Sequence, residues 1–213
     1  MSAGIVVRPI TAARFADVER LFKTDSIMRS CWDIWPRYAA ADRAELDARH
    51  TARTQSERNR LELRRLAARR RAPGLLAYAD GEPVGFISLG PRTEMRRVDA
   101  SRTSPRVDDV PVWVVPCFFV HKAHRGQGIT VALLEAAVAY AARHGAPAVE
   151  GYPRAPGGRV HDSTAFFGTV AQFRRAGFRK IAGPQARLPK GWVPRYTMRA
   201  ECSSPTSRRR PAR

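Results

Sequence analysis

Two glycines separated by a single residue stand where a strand gives way to a long apolar run, in the stretch Arg125-Gly126-Gln127-Gly128. The first backbone N–H groups of a helix lack intrahelical acceptors, and together with the helix dipole they bind anions, above all phosphate. Glycine has no side chain, so a phosphate can approach the backbone closely. The stretch therefore predicts a phosphate site, although the same glycines also fit a tight connection that binds nothing.

The spacing matches neither a Walker loop (G-x-x-x-x-G-K-[ST]) nor a dinucleotide fingerprint (G-x-G-x-x-G). The elements around the glycines are clearer. The run PVWVVPCFFV (111–120) predicts a buried strand, and Pro116 within it indicates an edge or a bulge, because proline cannot donate to a sheet ladder. After the glycines, an apolar face at helical spacing predicts a helix to about His144, ended by Gly145.

Strands and helices alternate along the rest of the chain. The remaining predictions, in chain order, are a strand at 5–11 with Thr11 capping the next helix, a helix-prone segment at 40–71, a hairpin at 74–90 around Asp80-Gly81, a loop at 91–111, a short strand at 146–153, a helix at 163–178 and two final strands. This order predicts an α/β fold: one domain over residues 5–200 with a mixed sheet covered by helices, followed by a basic tail at 201–213 that is expected to be disordered.

Composition restricts the class of protein. The 213 residues carry a formal net charge of +19, and the longest apolar run is well short of the roughly 18 residues of a membrane span. No secretory signal is visible, and three scattered cysteines form neither a disulfide framework nor a zinc pattern. We therefore expect a cytoplasmic protein without a bound metal. The charge also suggests nucleic-acid binding through the arginine-rich segment 52–71 and the tail, but no nucleic-acid motif accompanies it.

The stretch CFFVHKAHRGQGITVALLEAAVAYAARHGAPAVEGYP closely resembles the central motif of the GNAT superfamily of N-acetyltransferases. IVVRPITAARFADVERLF resembles the opening strand and helix of that family, GEPVGFISL its hairpin, and FRRAGFRK the end of its last helix. The resemblance implies a mostly antiparallel sheet with a splayed central strand pair, and acetyl-CoA as co-substrate. It places the pantetheine arm along Phe118, Phe119 and Val120, and the pyrophosphate at Arg125, Gly126, Gln127, Gly128, Ile129, Thr130 and Val131. Thr130 stands where the family usually has Gly or Ala.

The implied reaction is acetyl transfer from a thioester to a primary amine of a small molecule or a protein. A protonated amine must first lose a proton. Glu150, a lone acid in an apolar strand, is the candidate base; an ion pair with an arginine or a solvated strand end is the alternative. Phe173 occupies the position at which the family often has a tyrosine acid, which leaves Tyr152 as a substitute acid or as a packing residue. A GNAT fold that binds acyl-CoA without turnover also remains open.

The acceptor site is predicted at Trp32, Asp33 and Trp35, because the family walls this site with its first helices and their connection. Two tryptophans and an aspartate can hold a cationic amine by cation–π contact and charge. They equally fit a hydrophobic plug between helices. The sequence does not specify the acceptor, and we expect a monomer or a homodimer.

Overall fold

Nine strands form two sheets in the computed structural model, which describes residues 4–155, 166–188 and 192–202. The first sheet is antiparallel, with strand order β1-β2-β3-β6, and the second has the order β4-β5-β7-β9-β8. Only β5 and β7 pair in parallel. The strands are β1 Val6–Pro9, β2 Gly74–Ala79, β3 Glu82–Ser88, β4 Gly90–Pro91, β5 Trp113–Val115, β6 Phe118–Val120, β7 Ala148–Gly151, β8 Arg179–Ala182 and β9 Thr197–Glu201.

The predicted strand 111–120 is divided at Pro116. Its first part, β5, pairs with β4 and β7 in the second sheet, whereas β6 pairs with β3 at the edge of the first sheet. Proline has no N–H to donate, so the ladder cannot continue through this position. The expected splayed strand pair is thus present, and the wedge between the sheets opens beside β6.

Helices cover both faces of the divided sheet. They are α1 Phe15–Phe22, α2 Ser26–Cys31, α3 Arg43–Arg49, α4 Gln55–Ala67, α5 Arg96–Asp99, α6 Ile129–Arg143 and α7 Val170–Arg175. Helix α6 lies across the division and contacts β2, β3 and β6 of one sheet as well as β7 of the other. Its fully buried residues Leu133, Leu134 and Ala137 join the largest apolar core, as its periodicity predicts. None of the helices in the described residues is long and apolar enough to span a membrane.

The hairpin is as predicted: Asp80 (φ 50°) and Gly81 (φ 80°) both adopt the left-handed conformation that a type I′ turn requires. Four predictions were less accurate. The helix-prone segment 40–71 contains two separate helices, the loop 91–111 contains α5, and Thr11 makes no capping bond because a 3-10 turn precedes α1. Within the described residues, the predicted helix 163–178 is shortened to α7, because Gly168 (φ 69°) precedes Thr169, which has an extended backbone and caps the start of α7. Residues 163–165 lie outside the described residues.

Phe173 on α7 shows why the tyrosine position of the family can hold a phenylalanine here. Its side chain is 1% exposed and packs edge-on against Phe178 and beside Phe118. Gly151 on β7 leaves room for the ring, since a Cβ at this position would lie 2.1 Å from Phe173. The ring therefore anchors α7 against the second sheet next to β6.

We predict that Gly151→Ala destabilises the protein by about 1–3 kcal/mol, because the added methyl group overlaps the Phe173 ring in a close-packed core. Gly183→Ala is the matched control, since a Cβ there meets nothing within 4 Å. Urea unfolding of both variants measures the difference. Equal free energies of unfolding in the two variants would show that the core accommodates the methyl group and that α7 is not fixed by this contact.

Candidate active site

The start of α6 presents unused backbone donors. Gly126 and Gly128 have φ angles of 82° and 80°, which aim the successive N–H groups outward in a conformation that side chains rarely adopt. Within the described part of the chain, the structure records no hydrogen-bond acceptor for five consecutive amides, those of residues 126–130. The amide of Val131 donates to the carbonyl of Gly128 at 3.0 Å. The predicted anion nest therefore consists of five amides and ends before Val131.

Four of these five residues, Gly126, Gly128, Ile129 and Thr130, border a cleft of about 540 Å³, here called the α6 cleft. The predicted cofactor residues that line this cleft are Phe118, Phe119 and Val120 of β6, and Arg125, Gly126, Gly128, Ile129, Thr130 and Val131. Gln127 is the one predicted cofactor residue that does not line it. Arg154, Thr169 and Arg175 form the opposite wall. An elongated anion in this cleft would meet both the free amides and positive charge.

The backbone of β6 also borders the α6 cleft. The His121 amide donates to the Val84 carbonyl and the Ser88 amide donates to the Cys117 carbonyl, each at 2.9 Å. Because hydrogen-bonded residues alternate along an antiparallel strand, the backbone N–H and C=O groups of Phe118 and Val120 point away from β3. The outward amide of Phe118 donates to the Phe166 carbonyl at 3.0 Å, and the Val120 carbonyl accepts from Arg125 Nε at 3.3 Å. A ligand strand along this edge therefore finds the Val120 amide as its donor.

A second cleft of about 680 Å³ lies on the other side of α2 and is here called the Trp35 cleft. Its apolar lining includes Met28, Ile34, Trp35, Leu46, Phe166 and Phe167, and Pro116 and Cys117 at the strand division border it. Ser26, Ile27 and Phe166 line both clefts. The two cavities are therefore neighbours that share part of their walls.

The three predicted acceptor residues occupy different environments. Trp32 is 3% exposed, donates Nε1 to Ser56 Oγ at 3.1 Å and packs on Phe15 and Phe22, so it forms the plug that the sequence left as an alternative. Trp35 is 48% exposed at the rim of the Trp35 cleft, under the Arg97 guanidinium at 5.1 Å. Asp33 is 1% exposed and lines the same cleft.

Glu150 lies on β7 and is 1% exposed, but it lines neither of the two large clefts. Arg199 Nη2 donates to its carboxylate at 2.6 Å, and Arg92 Nη1 lies 3.5 Å away. This is the ion-pair alternative left open by the sequence, and a catalytic role for Glu150 stays a prediction. Tyr152 donates to Glu150 at 3.1 Å; burial, followed by the Glu150 charge, raises the pKa of its phenol far above the ordinary value. Tyr152 therefore retains its proton.

Other reactive side chains are accounted for by burial or pairing. Burial raises the pKa of the Cys117 thiol, and that of Cys31, so both thiols stay protonated. In residues 4–155, 166–188 and 192–202 no group of three metal-binding side chains occurs. On the basic helix α4, three arginines are engaged with acids: Arg58 with Asp47, Arg60 with Glu19 at 2.6 Å, and Arg65 with Glu62 at 2.5 Å. The tail from residue 203 lies outside the described residues.

Some site residues were not found from the sequence. Ser26 and Ile27 join the clefts because Asp25 caps α2, its carboxylate accepting from the Ile27 amide at 2.9 Å; the pattern Asp-Ser before an apolar run would have been the signal. Thr169 was placed inside a helix, yet it caps α7 and lines the α6 cleft. Arg92, which joins Asp99, Glu150 and Tyr152, lies in a predicted loop, and no local signal marks it.

The sequence profile described as the Acetyltransferase (GNAT) family matches residues 27–154, more than half of the chain. The chain therefore belongs to the GNAT family of acetyltransferases, whose acetyl donor is acetyl-CoA, and is an acyltransferase by that membership. No curated protein matches the sequence.

Solved structures agree with the fold. A GNAT-family acetyltransferase from Streptococcus pneumoniae is 15% identical over 94% of this chain and 100% of that chain, with a TM-score of 0.50. AAC(6')-Ib, an aminoglycoside acetyltransferase solved with ribostamycin and coenzyme A, is 13% identical over 93% of each chain, with a TM-score of 0.52. A GNAT-family acetyltransferase from Bacillus anthracis is 10% identical over 93% of this chain and 96% of its own, also at 0.52. At these identities the likeness concerns the fold alone.

We predict that Glu150→Gln lowers the free energy of unfolding by about 3 kcal/mol, because the buried Arg92 and the partly buried Arg199 then have less compensating charge. Glu201→Gln, an exposed acid on the paired strand β9, is the control and should change stability by less than about 0.5 kcal/mol. Chemical denaturation measures both. A loss below about 1 kcal/mol for Glu150→Gln would contradict the structural importance of the ion pairs.

Proposed function

We propose that this protein transfers the acetyl group of acetyl-CoA to the nitrogen of a primary amine, on a small molecule or a protein, by direct attack of the amine on the thioester. One observation carries the proposal: five consecutive amides at the start of α6 have no acceptor in the described part of the chain, and four of these residues line a cleft that lies next to a second, apolar cleft. Family membership supplies the donor chemistry.

The diphosphate of acetyl-CoA would accept from the amides of residues 126–130, with Arg125 beside it. The pantetheine arm would follow the outer edge of β6, where the Val120 amide points away from β3. This course leads the thioester toward the strand division at Pro116, beside which the two clefts are neighbours. The acetyl group and the acceptor would therefore approach each other from opposite clefts.

The chemistry needs little acid catalysis. The amine loses a proton, its nitrogen bonds to the thioester carbonyl carbon, and the C–S bond then breaks to release a thiolate that takes up a proton. A thiol pKa of about 8.5 makes this last step undemanding, so water can supply the proton. That fits a site in which Phe173 stands at the tyrosine position and the pKa of Tyr152 is raised. The protonated Cys117 supports direct attack without an acetyl-cysteine intermediate.

The remaining expectations accompany this proposal. Residues 5–200 would form the catalytic domain, and residues 201–213 a basic tail. We propose a cytoplasmic enzyme, monomeric or homodimeric. A nucleic-acid role is less favoured than it was from sequence, because the arginines of α4 discussed above pair with acids of the same chain.

Two glycines at opposite ends of α6 provide a matched test of cofactor binding. Gly128 (φ 80°) and Gly145 (φ 78°) have the same conformation, and a Cβ at either position meets nothing within 4 Å. We predict that Gly128→Ala and Gly145→Ala cost similar stability, about 1–2 kcal/mol. Only Gly128→Ala should weaken acetyl-CoA binding, by roughly tenfold or more, a change equivalent to about 1.4 kcal/mol. Isothermal titration with acetyl-CoA, together with thermal unfolding, measures both effects.

Equal acetyl-CoA affinity in the two variants would contradict the diphosphate site. The wild-type protein should also unfold at a higher temperature with acetyl-CoA, at moderate and at high salt. Stabilisation by an oligonucleotide that disappears in high salt, with none by acetyl-CoA, would instead support the nucleic-acid alternative. Thiol release with a panel of amines then tests turnover, and its absence with every amine would favour a non-catalytic acyl-CoA-binding protein.

A further inference from the structure

Asp33 directly follows Trp32, a residue held in a conformation that few side chains tolerate. Trp32 and Asp33 follow α2 with φ angles of 50° and 56°, in the left-handed region that disfavours residues other than glycine, asparagine and aspartate. Such strain persists only where the surroundings enforce it, and it concentrates at functional sites. Here the buried Trp32 indole anchors the turn, and the turn aims the next side chain at the strand division.

The carboxylate of Asp33 is incompletely satisfied. Ser88 Oγ donates to its Oδ2 at 2.5 Å, whereas its buried Oδ1 has no hydrogen-bond partner in the described part of the chain. Arg37 Nη2 lies 3.6 Å from Oδ2, but the Arg37 guanidinium donates to the carbonyls of Pro73 and Leu89. A buried oxygen without a partner costs free energy, so the site is prepared for a donor that the described part of the chain does not supply.

The position of Asp33 connects it to the proposed chemistry. Ser88, its hydrogen-bond partner, also donates its amide to the Cys117 carbonyl at the start of β6. Asp33 and Cys117 both line the Trp35 cleft at the strand division. Burial raises the pKa of Asp33 to about 6, although Arg37 and Ser88 act in the opposite direction. The group is thus ionised at neutral pH and basic enough to exchange a proton there.

The charges of the Trp35 cleft restrict the acceptor. Asp33 is the single acid among the described residues that line it, and Arg43, Arg58 and Arg97 line it too. Most of the remaining lining is aliphatic or aromatic. An acceptor with several positive charges would be repelled by the arginines, whereas one ammonium group on an apolar body matches one carboxylate in an apolar cavity.

We propose that Asp33 binds the ammonium group of the acceptor and takes its proton, and that the acceptor is a compact monoamine with an apolar body. The inference rests on the proposed acetyl transfer. The ammonium N–H bond breaks, the proton passes to Oδ1 and the freed lone pair attacks the thioester carbon. The C–S bond then breaks, the nitrogen gives its second proton to the leaving thiolate, and the carboxylic acid returns its own proton to solvent. In this assignment Asp33, rather than Glu150, is the proton acceptor.

The test uses 2-phenylethylamine and spermidine as acceptors, with thiol release measured at saturating acetyl-CoA. We expect kcat/KM for 2-phenylethylamine to exceed that for spermidine by at least about tenfold, and Asp33→Asn to lower kcat/KM for 2-phenylethylamine by about 100-fold. Asparagine tolerates the left-handed conformation as aspartate does. Asp42→Asn is the matched control: Asp42 is 4% exposed, pairs with Arg96 and lines neither cleft, so its activity should stay within about threefold of wild type.

The pH profile separates a proton acceptor from a structural carboxylate. In the wild type, kcat/KM should fall as the pH falls through about 6, because Asp33 becomes protonated. In Asp33→Asn this decrease at acidic pH, the acidic limb of the profile, should vanish, and kcat/KM should rise with pH as the unprotonated fraction of the amine increases. The groups that face Asp33 are Arg37 on its own loop, Ser88 on β3, Cys31 on α2 and Cys117 before β6.

Ser88→Ala provides an independent readout if Asp33→Asn does not fold. This variant keeps the carboxylate but removes the donor that favours its charged form, so the acidic limb should move to higher pH. An unmoved limb in Ser88→Ala, a wild-type profile in Asp33→Asn, or a preference for spermidine would each overturn the inference. With acetyl-CoA binding and turnover intact, any of these results leaves the proposed function standing. Absence of acetyl-CoA binding would instead contradict the proposed function itself.

Discussion

The interruption of one strand by Pro116 determines where ligands can bind. A proline amide cannot complete a ladder, so β5 and β6, which are adjacent in sequence, join different sheets. The wedge between them exposes one edge of β6 and brings the start of α6 beside it. Had the strand continued in one sheet, a neighbouring strand would occupy this edge. Both clefts border the residues that flank the division.

Helix α6 gives this opening a preference for negatively charged ligands. Its buried face spans both sheets, and the packing of that face fixes the helix start against the end of β6. The left-handed glycines leave five amides without an acceptor among the residues that the structure describes. Because these donors and the helix dipole act in the same direction, the preference is for an anion. The Trp35 cleft instead places one buried carboxylate, Asp33, within a largely apolar lining that also includes three arginines.

The sequence predicted the features that depend on local patterns. The hairpin at Asp80-Gly81, the long helix α6 and the glycine turn before it follow from periodicity and from the conformations open to glycine. The sequence left open an ion pair of Glu150 with an arginine but could not identify the partners, because Arg92 and Arg199 come from segments distant in the chain. The short α7 was overestimated, since an apolar helical pattern does not reveal that Gly168 adopts a left-handed conformation.

The acceptor site shows the same limit. Trp32, Asp33 and Trp35 were grouped because the family walls its acceptor site with the first helices and their connection, but the left-handed turn sends Trp32 into the core and leaves Trp35 half exposed. Whether Trp32 or Trp35 packs in the core depends on the backbone conformation of this turn, which the neighbouring residue types do not predict. The free Oδ1 of Asp33 likewise emerges only when Ser88 and Arg37 are in place.

The central claim is that the amides of residues 126–130 hold the diphosphate of acetyl-CoA. The most direct measurement is a titration of ¹⁵N-labelled protein with coenzyme A, followed through the backbone amide resonances. The account predicts that the largest shifts fall on residues 126–130 and that Gly145, at the far end of the same helix, does not respond. Shifts centred elsewhere, for example on the exposed arginines at 69–71, with residues 126–130 unchanged, would contradict it.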